Sequence, residues 1–151
     1  MPDNDIKVEG FKELEQELLS ISDDEVADAI QKEALTAAAA VIKPALIAAT
    51  PVRTKVGGKY ALPPGTLKKS VRTRIRLPKN GDPASATVDF GKYSYIAGFV
   101  DGGHVNPTAK MGLKHTPANP FVRTTEAATA DKAEDAYLST LQAGIEANIK
   151  E

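Results

Sequence analysis

Four cations share one short row. Lys68, Arg72, Arg74 and Arg76 fall on alternate positions, with Ser70 completing the series. In an extended strand alternate side chains share a face and lie roughly 6 to 7 Å apart, near the spacing of successive phosphates along a nucleic-acid strand. The chemistry of such a row is anion binding. Three readings stay open: a solvated or self-covered sheet face, contact with an acidic protein surface, and electrostatic contact with nucleic acid. No aromatic residue is interleaved to stack bases, which disfavours sequence-specific or single-strand recognition. His104 and His115 with Asp101 are conceivable metal ligands, but their spacing matches no closed site and no Cys accompanies them. Ser70 with either His lacks the strand-to-helix elbow and oxyanion signature of a hydrolase. Gly57-Gly58 and Gly102-Gly103 lack the Lys-Ser/Thr context of a phosphate cradle. The expectation is a protein with no catalytic residue, no cofactor and no metal.

The elements that must position these residues follow from periodicity. Phe11, Leu14, Leu18 and Ile21 predict a short amphipathic helix over 10–21, and Ser22 or Asp23 can cap the next one. Val26, Ile30, Ala34, Ala37, Val41, Ala45 and Ala48 step by three and four, giving a long helix from about 24 to 49, which Pro44 should kink or interrupt. Its later half is apolar nearly all round, which calls for burial on more than one side, against the chain's own sheet and either more core or a neighbouring subunit. From Leu67 the period changes to two. Leu67, Val71, Ile75 and Leu77 face one way and the cations the other; Lys79-Asn80-Gly81-Asp82 is a hairpin turn; Ala86, Val88 and Phe90 return; residues 93–100 supply a third strand. Residues 50–66 and 102–118 read as long loops, and 1–9 as a flexible N-terminus. Asn119-Pro120 starts a last helix to about 148, with Ala130, Ala133, Tyr137, Leu141, Ile145 and Ile149 as its stripe and Phe121 anchoring its entry. The fold class expected is α+β: a small antiparallel sheet of three to four strands packed by a long N-terminal helix and a C-terminal helix, in one domain over 1–151.

Composition sets the limits. A chain of 151 residues can bury a real core. Cysteine is absent, so neither a disulfide scaffold nor a thiolate metal site is available, which suits a reducing cytoplasm. Only 5% of residues are aromatic and Trp is missing, so the core rests on Ala, Val, Ile and Leu. Residues 1–5 show no basic or apolar signal region, and the most apolar stretch, 34–49, is shorter than the roughly 20 residues of a membrane span. The net charge of −1 hides a segregation. Residues 1–33 hold 3 basic and 11 acidic side chains, 34–123 hold 14 and 3, and 124–151 hold 2 and 6. Acidic ends around a basic middle suit either internal neutralisation or head-to-tail complementarity between subunits.

Three short signatures follow one another along the chain. Residues 50–71 open Thr-Pro-Val-Arg-Thr and close Gly-Thr-Leu-Lys-Lys-Ser-Val; 95–103 read Tyr-Ile-Ala-Gly-Phe-Val-Asp-Gly-Gly; 119–123 read Asn-Pro-Phe-Val-Arg. In this order, between helical ends, they resemble the tail-completion or head-tail joining proteins of long-tailed bacteriophages, a family related to the minor tail protein Z of phage lambda. The matching positions are Pro51, Val52, Thr54, Gly65, Leu67, Ser70, Val71, Tyr95, Asp101, Gly103, Pro120, Phe121 and Arg123. The chain differs from the pattern in the ten residues between Thr54 and Gly65, in the Gly102-Gly103-His104 run, and in Thr124-Thr125, where the family has Pro-Ala.

What the resemblance implies is a structural virion protein at the head-tail junction or the head-proximal tail end, needed for tail completion. Its expected partners are further copies of itself in a cyclic oligomer, six-fold to match a tail tube, together with neighbouring neck or tail-terminator proteins and the tube. Genomic DNA in the lumen is a further contact, and no membrane is involved. The expected location is the virion, with the host cytoplasm during assembly. The alternative reading is a basic-faced nucleic-acid-binding domain; a small enzyme comes third.

Overall fold

The computed structural model describes residues 6–9, 24–52, 62–106 and 114–149, with the side chains of 7–9, 104–106, 114–116 and 149 left aside. Strand β1 (Ile6–Glu9) is followed by helix α1 (Asp24–Ala49), a helical turn α2 (Thr66–Lys69), strands β2 (Arg72–Arg76) and β3 (Ser85–Asp89), and helix α3 (Ser94–Gly102). Strands β4 (His104–Asn106) and β5 (Lys114–Thr116) precede helix α4 (Phe121–Ile149). The helix predicted over 10–21, its successor's caps Ser22 and Asp23, and Thr54 lie outside the described residues.

The α+β expectation is corrected: the described residues are mostly helical. Of the meander predicted over 67–100, only a two-stranded antiparallel hairpin forms, β2 on β3, with Thr73 opposite Val88 and Ile75 opposite Ala86. Its turn is the predicted one, with Asn80 at φ 53° and Gly81 at φ 88°, the positive values that a type I′ turn requires. Residues 67–69 are helical and Ser70 a turn rather than extended, and Tyr93–Val100 is not a strand. A 3₁₀ turn (Gly91–Tyr93) leads there into α3, whose Ala97 and Asp101 are buried one turn apart. Aromatic and β-branched residues suggested a strand, but the burial repeats every four residues, as a helix requires. β1 pairs along the other side of β3, Ile6 opposite Val88, where the sequence suggested only a flexible tail. Within the segment read as one loop, 102–118, β4 and β5 pair, with His104 opposite Thr116 and Val105 opposite His115.

The core lies where α1 meets two partners. One side of α1 packs along α4 and another on β3 and β2. Ala34, Leu35, Ala38, Ile42 and Leu46 are fully enclosed, while Ala37, Val41 and Ala45 are half-buried and Ala48 and Ala49 exposed, so the apolar later half of α1 is covered only in part within the described residues. Pro44 does not end the helix. It and Ala40, whose carbonyl loses its helical donor to the proline, are both on the exposed side of the helix. From α4, Ala133, Tyr137, Leu141 and Ile145 complete the core at steps of four, while Ala130, expected in the stripe, is exposed. The helices approach closely at Gly144: a Cβ there would stand 2.6 Å from Ile30 Cγ2. No helix among the described residues is long and apolar enough to cross a membrane.

Candidate functional site

The cationic row begins at Arg72, not Lys68. Lys68 belongs to the α2 turn and is half-buried, whereas Arg72, Arg74 and Arg76 alternate on the exposed face of β2. Two of the three are already engaged. Arg72 Nε donates to Asp89 Oδ1 at 2.9 Å, and Arg74 Nη2 donates to Asp89 Oδ2. The Gly91 N–H adds a third bond to Oδ1 at 2.8 Å. Asp89 is buried, its side chain 4% exposed. Burial pushes its carboxyl up, but the Arg72 guanidinium, the Gly91 amide and Arg74 together outweigh this and hold it below its ordinary value of 3.8. A phosphate track of three free guanidinium groups is therefore reduced. Asp89 neutralises part of the row and spends its best donors, leaving Arg76 as the outermost cation.

The signature residues assemble around a different feature. Pro51, Val52, Gly65, Leu67 and Tyr95 line one open groove of about 490 Å³, together with Ile96 and Val100. Local chemistry explains each wall. Gly65 adopts φ 82°, a left-handed conformation that opens the α2 turn and strains any residue bearing a Cβ. The turn is then locked by hydroxyl groups: Thr66 Oγ1 donates to the Pro63 carbonyl and Ser70 Oγ to the Leu67 carbonyl, both at 2.7 Å. Ser70 thus closes the end of the turn. Leu67 lines the groove together with Tyr95 and Ile96 of α3.

One lip of the groove is strongly apolar and open to solvent. Tyr95 is 58% exposed and Phe99, one helical turn on, 49%; their rings meet edge to face at 6.4 Å. Val52 is 46% exposed. Large apolar groups exposed side by side mark contact surfaces more often than isolated ones do. Phe99 was not singled out from the sequence; the i, i+4 spacing from Tyr95 was the available signal, hidden by the strand reading.

The remaining signature positions hold the groove's helix in place. Asp101, buried near the end of α3, accepts from the Val122 N–H at 3.0 Å and from Arg123 Nε at 3.1 Å. Arg123 Nη2 also donates to the Asp101 carbonyl at 3.3 Å, and the Asn119 N–H donates to the Val100 carbonyl at 2.9 Å. The first amides of a helix have no partner within it, so Asp101 caps α4 from 21 residues upstream. Phe121 packs edge to face on Phe90, ring centres 5.8 Å apart, at the end of β3. Pro120 precedes the first residue of α4 and Gly103 follows α3, so α3, the end of β3 and α4 meet at one joint. Asp101 spends both carboxylate oxygens on α4, and no metal-ligand group occurs among the described residues. His104 and His115 occupy adjacent but unpaired register positions of β4 and β5.

No family model, no curated protein and no solved structure matches this chain.

Proposed function

We propose that the protein is a structural subunit of a tailed-phage virion, acting at the head-tail junction or the head-proximal tail end, and that the groove is its assembly surface. The observation that carries this reading is the gathering of five signature positions, Pro51, Val52, Gly65, Leu67 and Tyr95, on one groove with an exposed aromatic lip. Three others, Asp101, Phe121 and Arg123, join α3 to α4 and so hold that lip. An assembly protein needs surface of this kind, apolar and preformed, whose burial against a partner supplies the free energy of joining. Such a role requires neither a cofactor nor a reaction. Its partners are further copies of the chain in a ring, six-fold to match the tail tube, and the neck or tail-terminator proteins next to it.

Electron microscopy of a lysate from a parent phage with a stop codon in this gene tests the reading. Filled heads and separate, unattached tails are expected. Normal infectious particles would contradict it.

A further inference from the structure

A second concavity lies at the hairpin end of the sheet, within the unbroken described stretch 62–106. β2 runs out through Arg76 to Lys79, and the chain returns through Asp82 to Ser85; these residues line a cleft of about 620 Å³. That volume is in the range of small-ligand sites. Backbone bonds fix its frame: the Asp82 N–H donates to the Lys79 carbonyl at 2.9 Å, and the Lys79 N–H to the Asp82 carbonyl at 3.3 Å. The turn holds its shape without spending a side chain.

The register explains why charge is left over here. Arg72 stands opposite Asp89, Arg74 opposite Thr87 and Arg76 opposite Ser85. Opposed residues of an antiparallel pair lie about 4.5 to 5.5 Å apart and share a face. Asp89 engages Arg72 and reaches diagonally to Arg74, but Arg76 has a hydroxyl opposite it where the first arginine has a carboxylate. Arg76 and Lys79 are both exposed, and neither makes an ion pair among the described residues. Ser85 is only 4% exposed, and its hydroxyl has no hydrogen-bond partner among the described residues. A buried hydroxyl and a guanidinium, opposed in register and both without an acceptor, call for the same kind of group.

We propose that this cleft binds a phosphate group, with the Arg76 guanidinium as a fork on two of its oxygens, the Ser85 hydroxyl donating to a third and Lys79 as the second positive charge. Arginine's paired N–H donors match oxyanions in this way, and lysine adds a compact charge. A tetrahedral phosphate can meet three donors at once, where a planar carboxylate has only two oxygens. Leu77, Pro78 and Pro83 supply an apolar part of the lining, room for an organic body carried by the phosphate. Two carboxylates oppose the anion: Asp82, which lines the cleft, and Glu9, at the register position beside Ser85 on β1. The cleft is separate from the groove, and the proposal stands independently of the assembly reading.

Nitrogen-proton correlation NMR of the full chain tests it, with sodium phosphate exchanged for sodium chloride at constant ionic strength so that screening does not change. Saturable shifts are expected in the amides of residues 76–85 and in the Arg76 Nε–H. Arg76→Gln should weaken binding about tenfold or more, and Ser85→Ala about threefold, since each removes donors to a charged group. Asp82→Asn should tighten it about threefold, the scale of an exposed charge pair. Arg72→Gln, outside the cleft, should change it little, and circular dichroism checks that every variant is folded. Thymidine monophosphate and thymidine identify the carrier: tighter binding of the monophosphate than of inorganic phosphate assigns the apolar lining to an organic body, and equal binding assigns the site to phosphate itself. Shifts that do not saturate, a loss in Arg72→Gln equal to that in Arg76→Gln, or thymidine binding as well as its monophosphate would overturn the proposal.

Discussion

Replacing Asp101 should unlock the joint between α3 and α4, and its parts can be separated by substitution. In Asp101→Ala the Val122 N–H, on a residue only 2% exposed, loses its acceptor at 3.0 Å. Loss of a helix cap costs about 1 kcal/mol. Leaving the amide buried and unsatisfied adds about 1 to 2 kcal/mol more. The ion pair to Arg123 contributes little, because Arg123 is 64% exposed and water screens it, so less than about 1 kcal/mol is assigned to it. Asp101→Ala should therefore cost about 2 to 3 kcal/mol and Asp101→Asn, which keeps an oxygen for the amide, about 1 kcal/mol. Arg123→Ala should fall below both. Urea unfolding of the three variants, followed by far-ultraviolet circular dichroism, reads this order as shifts in midpoint at constant slope. An Arg123→Ala loss equal to that of Asp101→Ala would refute the reasoning, since the salt bridge and not the cap would then hold the joint.

Other consequences follow from the same geometry. Gly144→Ala gains up to about 1 kcal/mol of helix propensity but drives a methyl to 2.6 Å from Ile30 Cγ2, which costs about 1 to 3 kcal/mol, so a net loss is expected. In an Ile30→Ala background the same change should turn neutral or stabilising, and a double-mutant cycle without coupling would refute the contact. Gly65→Ala meets no neighbouring atom but must hold φ 82°, costing about 1 kcal/mol, while Gly65→Asn costs less; equal losses would point to packing instead. Asp89 is held below 3.8, so its stabilising effect is fully present above that value and is lost as pH falls through its folded value. Acid unfolding from about pH 5 downward should therefore be less steep in Asp89→Asn than in the parent, and an unchanged profile would show that another carboxylate controls it.

Long periodic elements were readable because their burial is one-dimensional. The step of three and four from Val26 onward marked α1, and the step of four through Tyr137, Leu141 and Ile145 marked α4. Asn80-Gly81 marked the hairpin because few other residues accept two successive positive φ values. Residues 93–100 were misread because Tyr, Ile, Phe and Val favour strands on average, while here Ala97 and Asp101 are fixed by tertiary contacts at helical spacing. β1 is short, and only its partner β3 reveals it. The cationic row was legible from Arg72 to Arg76 but not at Lys68, which lies in the α2 turn, and its neutralisation was less so. Yet the basic stretch 34–123 holds only three carboxylates, Asp82, Asp89 and Asp101, and two of them are buried against arginines. Scarce opposite charge within a basic segment was the signal for Asp89. The groove had no linear signature beyond the order of its motifs, because its walls come from three separate segments, 51–52, 62–67 and 95–100, that only folding brings together.

The assembly role is tested most directly by restoring infectivity in the stop-codon lysate with purified protein. The wild-type chain should raise the plaque titre by joining waiting heads and tails. A Tyr95→Asp, Phe99→Asp variant, checked by circular dichroism to be folded, should leave the titre at the level of buffer alone; both side chains are about half exposed, so the fold should survive their loss. Equal recovery by the two proteins would contradict the groove as the assembly surface, and no recovery by the wild-type chain would contradict the assembly role itself.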